Sequence, residues 1–101
     1  VEFSAPISAI VPAAQFGTPK AQKIEMRQNG VTKQNANLSL MIWSVPEIIA
    51  HLSTMYHLRP GDVILSGTPA GVGMGRREFL KAGDVVKVWI EKIGTLTNKM
   101  V

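Results

Sequence analysis

The stretch that decides the fold of this 101-residue chain is LRPGDVILSGTPAGVGMG, residues 58–75. It opens with a Pro-Gly-Asp turn and continues into the short apolar run 63–65, for which we predict a buried strand. Four glycines follow between residues 67 and 75. Glycine at this density indicates that the backbone bends sharply or approaches a group that a side chain would block. That group is a phosphate, a metal-bound substrate or another strand.

A phosphate is excluded by the spacing of these glycines. A dinucleotide-binding loop needs GxGxxG leading into a helix. Gly71, Gly73 and Gly75 instead form GxGxG, and Arg76 stands where the third glycine is required. The Gly-Lys-Ser/Thr sequence of a P-loop is also absent. The following residues, RREFLKAGD, are too few for a supporting helix before the next turn.

Two alternatives remain for the turn Gly67-Thr68-Pro69. The backbone N–H groups of Gly67 and Thr68, with the Thr68 hydroxyl, are able to converge on a small carboxylate at the end of the predicted strand. Pro69 fixes the exit angle of the chain. Alternatively, the loop is a glycine-rich connection that only crosses the edge of a sheet. The residues taken alone favour this plain connection, and both alternatives stay open at this point.

The composition is that of a packed globular chain. Apolar residues make up 46% and charged residues 18%, which argues against disorder. The chain contains no cysteine, which excludes disulfides, thiolate zinc sites and cysteine nucleophiles within it. We therefore expect a cytoplasmic protein. We expect no membrane association, because no apolar run approaches the roughly 20 residues that a membrane helix needs.

The positive net charge of +4 invites a nucleic-acid interpretation. The basic residues are scattered along the chain, however, and only Arg76 and Arg77 are adjacent. No aromatic residue lies beside that pair to stack on a base. We predict a solvated basic surface and no nucleic-acid partner.

The sequence of the first half of the chain predicts a loop followed by a β-hairpin. Residues 1–19 hold three of the six prolines, which favours an extended edge or a loop. Within residues 22–35, Ile24 and Met26 alternate with polar residues and lead to Asn29-Gly30, a dipeptide typical of a type I′ turn. We therefore predict a β-hairpin in this segment.

Besides the strand at residues 63–65, the sequence of the second half predicts one helix and two strands. Ser44 and Glu47 form a capping box, and apolar residues at helical spacing predict about three turns before Arg59-Pro60-Gly61. Residues 86–90 alternate as a strand, and a turn near 92–94 leads to a last strand at 95–101. The fold class we predict is α+β, mostly β.

The ionisable residues form no catalytic set. His51 and His57 are six residues apart, off the i, i+4 spacing that presents two histidines to one metal, and we expect both on the surface. Most of the seven acidic residues have a local explanation in a cap, a turn or a polar strand face, and no pair offers a ready oxygen cage. No GxSxG elbow is present. We therefore assign no catalytic and no metal-ligating residue.

The quoted stretch closely resembles the C-terminal signature of the fumarylacetoacetate hydrolase family. In that family a leucine, a Pro-Gly-Asp turn and a short strand precede Thr/Ser-Gly-Thr-Pro-x-Gly-Val-Gly. The segments MIWSVPEIIAHLS, QNGVTKQN, FLKAGDVVKVWIEKIGTLTNKMV and SAPISAIVPAAQFGTP also resemble family segments, in the family's order. The resemblance thus covers essentially the whole chain. It implies that residues 1–101 are the C-terminal portion of a single catalytic domain.

The resemblance implies a mixed, barrel-like β fold that assembles as a homodimer. It implies chemistry on 2-oxo acids that depends on Mg²⁺, or on Mn²⁺ or Ca²⁺: hydrolysis of a C–C bond in acylpyruvate, fumarylpyruvate or fumarylacetoacetate-like compounds. The alternatives are a 2-hydroxyhepta-2,4-diene-1,7-dioate isomerase or decarboxylase type of member, and a non-catalytic scaffold. The metal ligands of the family, a Glu-x-Glu pair and an Asp, precede the matched part, so this chain alone is expected to be inactive.

For the site, the resemblance implies that Gly67, Thr68 and Pro69 bind substrate. In the family this turn lines the pocket and its Thr contacts the substrate carboxylate, which favours the anion-binding alternative over the plain connection. Leu38 and Leu40 stand where many members carry polar residues. This departure leaves the substrate and the reaction open.

Overall fold

The computed structural model describes residues 5–101, so the first four residues of the segment 1–19, predicted as an extended edge or a loop, lie outside the described part. Its elements in chain order are the helix α1 (Ala13–Phe16), the strands β1 (Lys23–Gln28) and β2 (Val31–Asn37), a 3-10 turn (Leu38–Leu40), the helices α2 (Val45–Ser53) and α3 (Gly73–Arg76), and the strands β3 (Val85–Ile90) and β4 (Gly94–Lys99). The strands form one antiparallel sheet in the order β2-β1-β3-β4. The predicted α+β, mostly β class is confirmed, and the sheet of the described residues is open.

The predicted hairpin is confirmed as β1 and β2. Asn29 and Gly30 connect the two strands with φ angles of 51° and 81°, the positive values that a type I′ turn requires. Asn29 also ties the hairpin to the rest of the sheet, because its side-chain oxygen accepts a hydrogen bond from the Val85 N–H at 2.8 Å.

A β-bulge interrupts the pairing of β1 with β2. Met26 lies opposite Gln34 and Arg27 opposite Thr32, so Lys33 is the extra residue. A bulge bends its strand and changes the direction of nearby side chains. The glycine loop described below is held at this point of β2.

Directly paired residues of a sheet share a face. In this sheet one face is apolar and the other is mainly polar. Ile24 pairs with Ile90, and Met26 with Val88, on the apolar face. The opposite face carries charged side chains such as Glu25 and Arg27, which form an ion pair at 2.5 Å. The alternation predicted for residues 86–90 is thus confirmed.

The predicted helix is α2, and its capping box is present. The Glu47 N–H donates to the Ser44 hydroxyl, and the Ser44 N–H donates to the Glu47 carboxylate. The α-helix ends at Ser53, earlier than the Pro60-Gly61 break that marks its end in the sequence. The hydroxyls of Ser53 and Thr54 donate back to helical carbonyls at 2.8 and 2.7 Å, and such bonds compete with helix continuation.

The buried strand predicted for residues 63–65 is wrong for the described structure. These residues belong to neither helix nor strand, and the side chains of Val63 and Leu65 are 67% and 89% exposed. A strand needs a neighbouring strand for its backbone hydrogen bonds. The sheet edges β2 and β4 within residues 5–101 do not pair with this segment.

The apolar side chains of residues 5–101 are only partly covered. None of the hydrophobic side chains in this part of the chain is buried, and Ile42 and Trp43 are 89% and 62% exposed. A domain of this size normally encloses a hydrophobic core. The apolar sheet face and the segment 38–43 therefore present large uncovered surfaces.

Candidate functional site

The Gly67-Thr68-Pro69 turn is held on strand β2 by one side chain, that of Gln34. Its amide nitrogen donates to the Thr68 hydroxyl oxygen at 2.8 Å and to the Pro69 carbonyl oxygen at 2.8 Å. Gln34 pairs with Met26 and so lies on the apolar face of the sheet. The turn is thereby fixed above that face.

This turn forms one wall of a cleft of about 390 Å³. The sheet contributes Ile24 and Ala36, and helix α2 contributes Ile48. The remaining lining comes from residues 37, 38, 40–43 and 66–69. The structure thus brings the three predicted site residues together on one wall. Their binding of substrate stays a prediction.

The lining of the cleft is mainly apolar. Leu38 and Leu40 both line it, so the two leucines noted in the sequence do face this region. Asn37 is also in the lining, but its side chain is engaged: its oxygen accepts from the Ser39 N–H at 2.9 Å. Its amide nitrogen donates to the Ala21 carbonyl at 2.6 Å. The other polar residues of the lining are Trp43, Ser66 and those of the Gly67-Thr68-Pro69 turn.

Two glycines beyond this turn lie close to backbone carbonyl groups, and one of these carbonyls belongs to strand β2. A Cβ atom at Gly71 would overlap the carbonyl oxygen of Lys33, the bulged residue, and the φ angle of Gly71 is +107°. At Gly73 a Cβ atom would overlap the carbonyl oxygen of Glu78. Among the three groups considered for the glycine loop, the strand is thus what Gly71 touches.

Ionic contacts reinforce this approach. The Lys33 ammonium and the Glu78 carboxylate are 3.1 Å apart, and Arg76 pairs with the same carboxylate. Arg76 also donates to the Gly71 carbonyl at 2.6 Å. The hydrogen bond and charge of Lys33, with a contribution from Arg76, lower the pKa of Glu78 below its ordinary value. Glu78 therefore stays ionised at neutral pH and keeps the loop tied to β2.

The described residues do not fit a divalent metal ion. Within residues 5–101, no three His, Cys, Asp or Glu side chains lie close enough together to hold one. His51 and His57 are exposed, as the sequence predicts. No helix in this part of the chain could span a membrane.

Sequence reasoning missed Gln34 and Lys33. Both lie in the predicted hairpin, where their residue types give no indication of a contact with a distant part of the chain. Their importance depends on the bulge, which is a property of the pairing between strands. The one available signal was Gly71, whose missing side chain indicates a close approach without naming the group approached.

Two solved enzymes share this fold. One is a fumarylpyruvate hydrolase of Pseudomonas aeruginosa in complex with Mn²⁺ and pyruvate, with a TM-score of 0.81 and 33% identity over 89% of this chain and 36% of that chain. The other is a 2-hydroxyhepta-2,4-diene-1,7-dioate isomerase of Mycobacterium marinum, with a TM-score of 0.76 and 45% identity over 84% of this chain and 32% of that chain.

The chain belongs to the fumarylacetoacetate hydrolase family, because residues 1–101 match the family described as fumarylacetoacetate (FAA) hydrolase C-terminal. The resemblance found in the sequence is thereby confirmed. A curated relative is the oxaloacetate tautomerase YisK of Bacillus subtilis, 41% identical over 90% of this chain and 31% of the relative. The chain spans about a third of the length of the curated relatives it matches. Members of the family with this fold thus include hydrolases, isomerases and tautomerases.

Proposed function

We propose that the complete protein is a divalent-metal-dependent enzyme that acts on a small 2-oxo acid, and that this chain supplies the wall that binds the carboxylate. The reaction is C–C bond hydrolysis of an acylpyruvate or a fumarylpyruvate-like compound, or isomerisation or tautomerisation of a related 2-oxo acid. The relatives named above carry out reactions of these kinds.

The observation that carries the proposal is a set of hydrogen-bond donors at the turn that have no acceptor within residues 5–101. Within residues 5–101, the N–H groups of Gly67 and Thr68 donate to no backbone carbonyl outside helices and strands. The Thr68 hydroxyl oxygen accepts from Gln34, and the hydroxyl hydrogen has no acceptor among these residues. Neutral donors that lie at one turn and have no acceptor among the described residues are suited to hold an anion such as a carboxylate.

The rest of the cleft suits the carbon skeleton of a small acid. Its volume lies within the range of about 300–1,000 Å³ that is usual for small-molecule sites. Most of the other lining residues are apolar, so they would contact the carbon skeleton while the turn holds the carboxylate. This chain binds and orients the acid at that end.

The metal ion, Mg²⁺ in our proposal with Mn²⁺ or Ca²⁺ as substitutes, is held by residues outside this chain. Residues 5–101 contain no fitting ligand cluster, and the pseudomonad relative was crystallised with Mn²⁺ and pyruvate. We further propose a homodimer without nucleic-acid or membrane partners. The cytoplasm stays the location that the sequence predicts.

The proposal is tested with the complete protein, stripped of metal by a chelator and then supplied with Mg²⁺, Mn²⁺ or Ca²⁺. The panel consists of oxaloacetate tautomerisation, acetylpyruvate and fumarylpyruvate cleavage, and 2-hydroxyhepta-2,4-diene-1,7-dioate isomerisation. We expect turnover of at least one compound, its loss in the chelated protein and its return with a divalent ion.

Two results would contradict this proposal. One is the absence of turnover with every metal across the panel, combined with no binding of pyruvate; this would favour the non-catalytic scaffold. The other is turnover that survives complete removal of divalent ions, which would exclude the metal from the reaction.

A further inference from the structure

The orientation of the Gln34 amide is fixed by its partners. The Pro69 carbonyl oxygen is only an acceptor, so the group that faces it at 2.8 Å must be the amide nitrogen of Gln34. That nitrogen carries two hydrogens and has no acceptor capacity. Its second hydrogen is therefore the one that points to the Thr68 hydroxyl oxygen, also at 2.8 Å.

This orientation determines what the Thr68 hydroxyl does. A hydroxyl has one hydrogen, and its oxygen accepts. Since Gln34 already donates to that oxygen, the hydroxyl cannot donate back to Gln34. The hydrogen is therefore available to another acceptor, and Thr68 lines the cleft. A carboxylate in the cleft is such an acceptor.

We propose that Gln34 is a positioning residue that makes Thr68 a hydrogen-bond donor toward the carboxylate of the substrate. This inference rests on the proposed function and adds a residue that acts through Thr68. Gln34 holds the turn with one hydrogen and fixes the role of the hydroxyl with the other. A chain of two hydrogen bonds thus connects strand β2 to the bound acid.

The surroundings of Gln34 hold the turn and the strand in a fixed relation. The preceding residue, Lys33, contacts Gly71 through its carbonyl oxygen and Glu78 through its ammonium group. The segment before Ala70 is thus tied to β2 by Gln34, and the segment after it by the Lys33–Glu78 ion pair. Because the backbone is held in this way, removal of the Gln34 amide changes the hydrogen bonding of Thr68 without releasing the whole loop.

The test measures pyruvate binding by calorimetry to the complete protein loaded with Mn²⁺. Gln34→Met keeps the length of the side chain and removes both hydrogen bonds. We expect the dissociation constant of pyruvate to rise about three- to tenfold, the range that a neutral hydrogen bond supports. The control is Gln28→Met, which removes a bond to Asp84 at 3.1 Å elsewhere on the sheet and is expected to change the constant by less than about twofold.

A double-mutant cycle separates positioning from general support of the loop. In a Thr68→Val background there is no hydroxyl to orient, so adding Gln34→Met is expected to change the dissociation constant by less than about twofold. The same cycle, measured on the free energy of unfolding, shows whether the two side chains interact in the absence of any ligand.

The outcomes distinguish this inference from the proposed function. If the unmodified protein binds pyruvate and Gln34→Met binds it equally well, Gln34 does not position Thr68. An equal loss in both backgrounds would likewise contradict the inference, because Gln34 would then support the loop without acting through the hydroxyl. Failure of the unmodified, Mn²⁺-loaded protein to bind pyruvate would overturn the proposed function and this inference with it.

Discussion

Replacing Thr68 by valine is expected to lower kcat/KM of the complete protein for its 2-oxo acid by about tenfold or more. Valine has nearly the shape of threonine but no hydroxyl, so the substitution removes one hydrogen bond to the substrate carboxylate. A hydrogen bond to a charged group contributes ~1.5–3 kcal/mol, and ~1.4 kcal/mol corresponds to a factor of ten in rate. Steady-state kinetics on the compound that is turned over measures this effect.

Two further variants control this result. Thr68→Ser keeps the hydroxyl and should retain most of the activity. Thr97→Val makes the same chemical change on strand β4, where Thr97 pairs with Lys87 on the opposite face of the sheet, and should have little effect. If Thr68→Val stays within about twofold of the unmodified protein, Thr68 does not bind the carboxylate.

Replacing Gly71 by alanine is expected to lower the free energy of unfolding by about 2–5 kcal/mol, through two separate penalties. The positive φ angle strains a residue with a side chain by ~1–2 kcal/mol, and forcing a methyl group into an occupied space adds ~1–3 kcal/mol. The added Cβ would overlap the Lys33 carbonyl oxygen. Urea denaturation of the complete protein measures the change.

Other glycines of the same chain provide matched controls. Gly61 has a φ angle of +95° but open space around its Cβ position, so Gly61→Ala isolates the strain. At Gly75 the nearest atom to an added Cβ is a Val72 methyl carbon at 3.9 Å, an ordinary contact, so Gly75→Ala should be nearly neutral. A Gly71→Ala variant no less stable than Gly61→Ala would show that the loop does not rest against β2.

Features that depend on local residue chemistry were predictable from the sequence. Asn29-Gly30 specifies its turn because few other dipeptides adopt two positive φ angles. Ser44 and Glu47 specify the start of α2 because each side chain satisfies the backbone N–H of the other. The alternation of residues 86–90 likewise identified β3 and its two faces.

Features that depend on distant partners were not predictable in the same way. Residues 63–65 have the apolar character of a strand, but pairing requires a neighbour that residues 5–101 do not provide. The bulge at Lys33 arises from the pairing of β1 with β2, and no glycine marks it. Gln34 became recognisable only once the bulge and the turn at residues 67–69 were seen together.

In the candidate site, too, some features were predictable from the sequence and others were not. Gly67, Thr68 and Pro69 were identified from their residue types and their resemblance to a family signature, and the structure places them together on the wall of a cleft. What holds them there is a side chain 34 positions away from Thr68.

The most direct test of the central claim is the crystal structure of the complete protein with Mn²⁺ and pyruvate. We expect a carboxylate oxygen of pyruvate about 2.7 Å from the Thr68 hydroxyl oxygen. The Gln34 amide should still donate to the same hydroxyl oxygen. A structure in which pyruvate is bound with its carboxylate more than about 3.5 Å from the Thr68 hydroxyl would contradict the account.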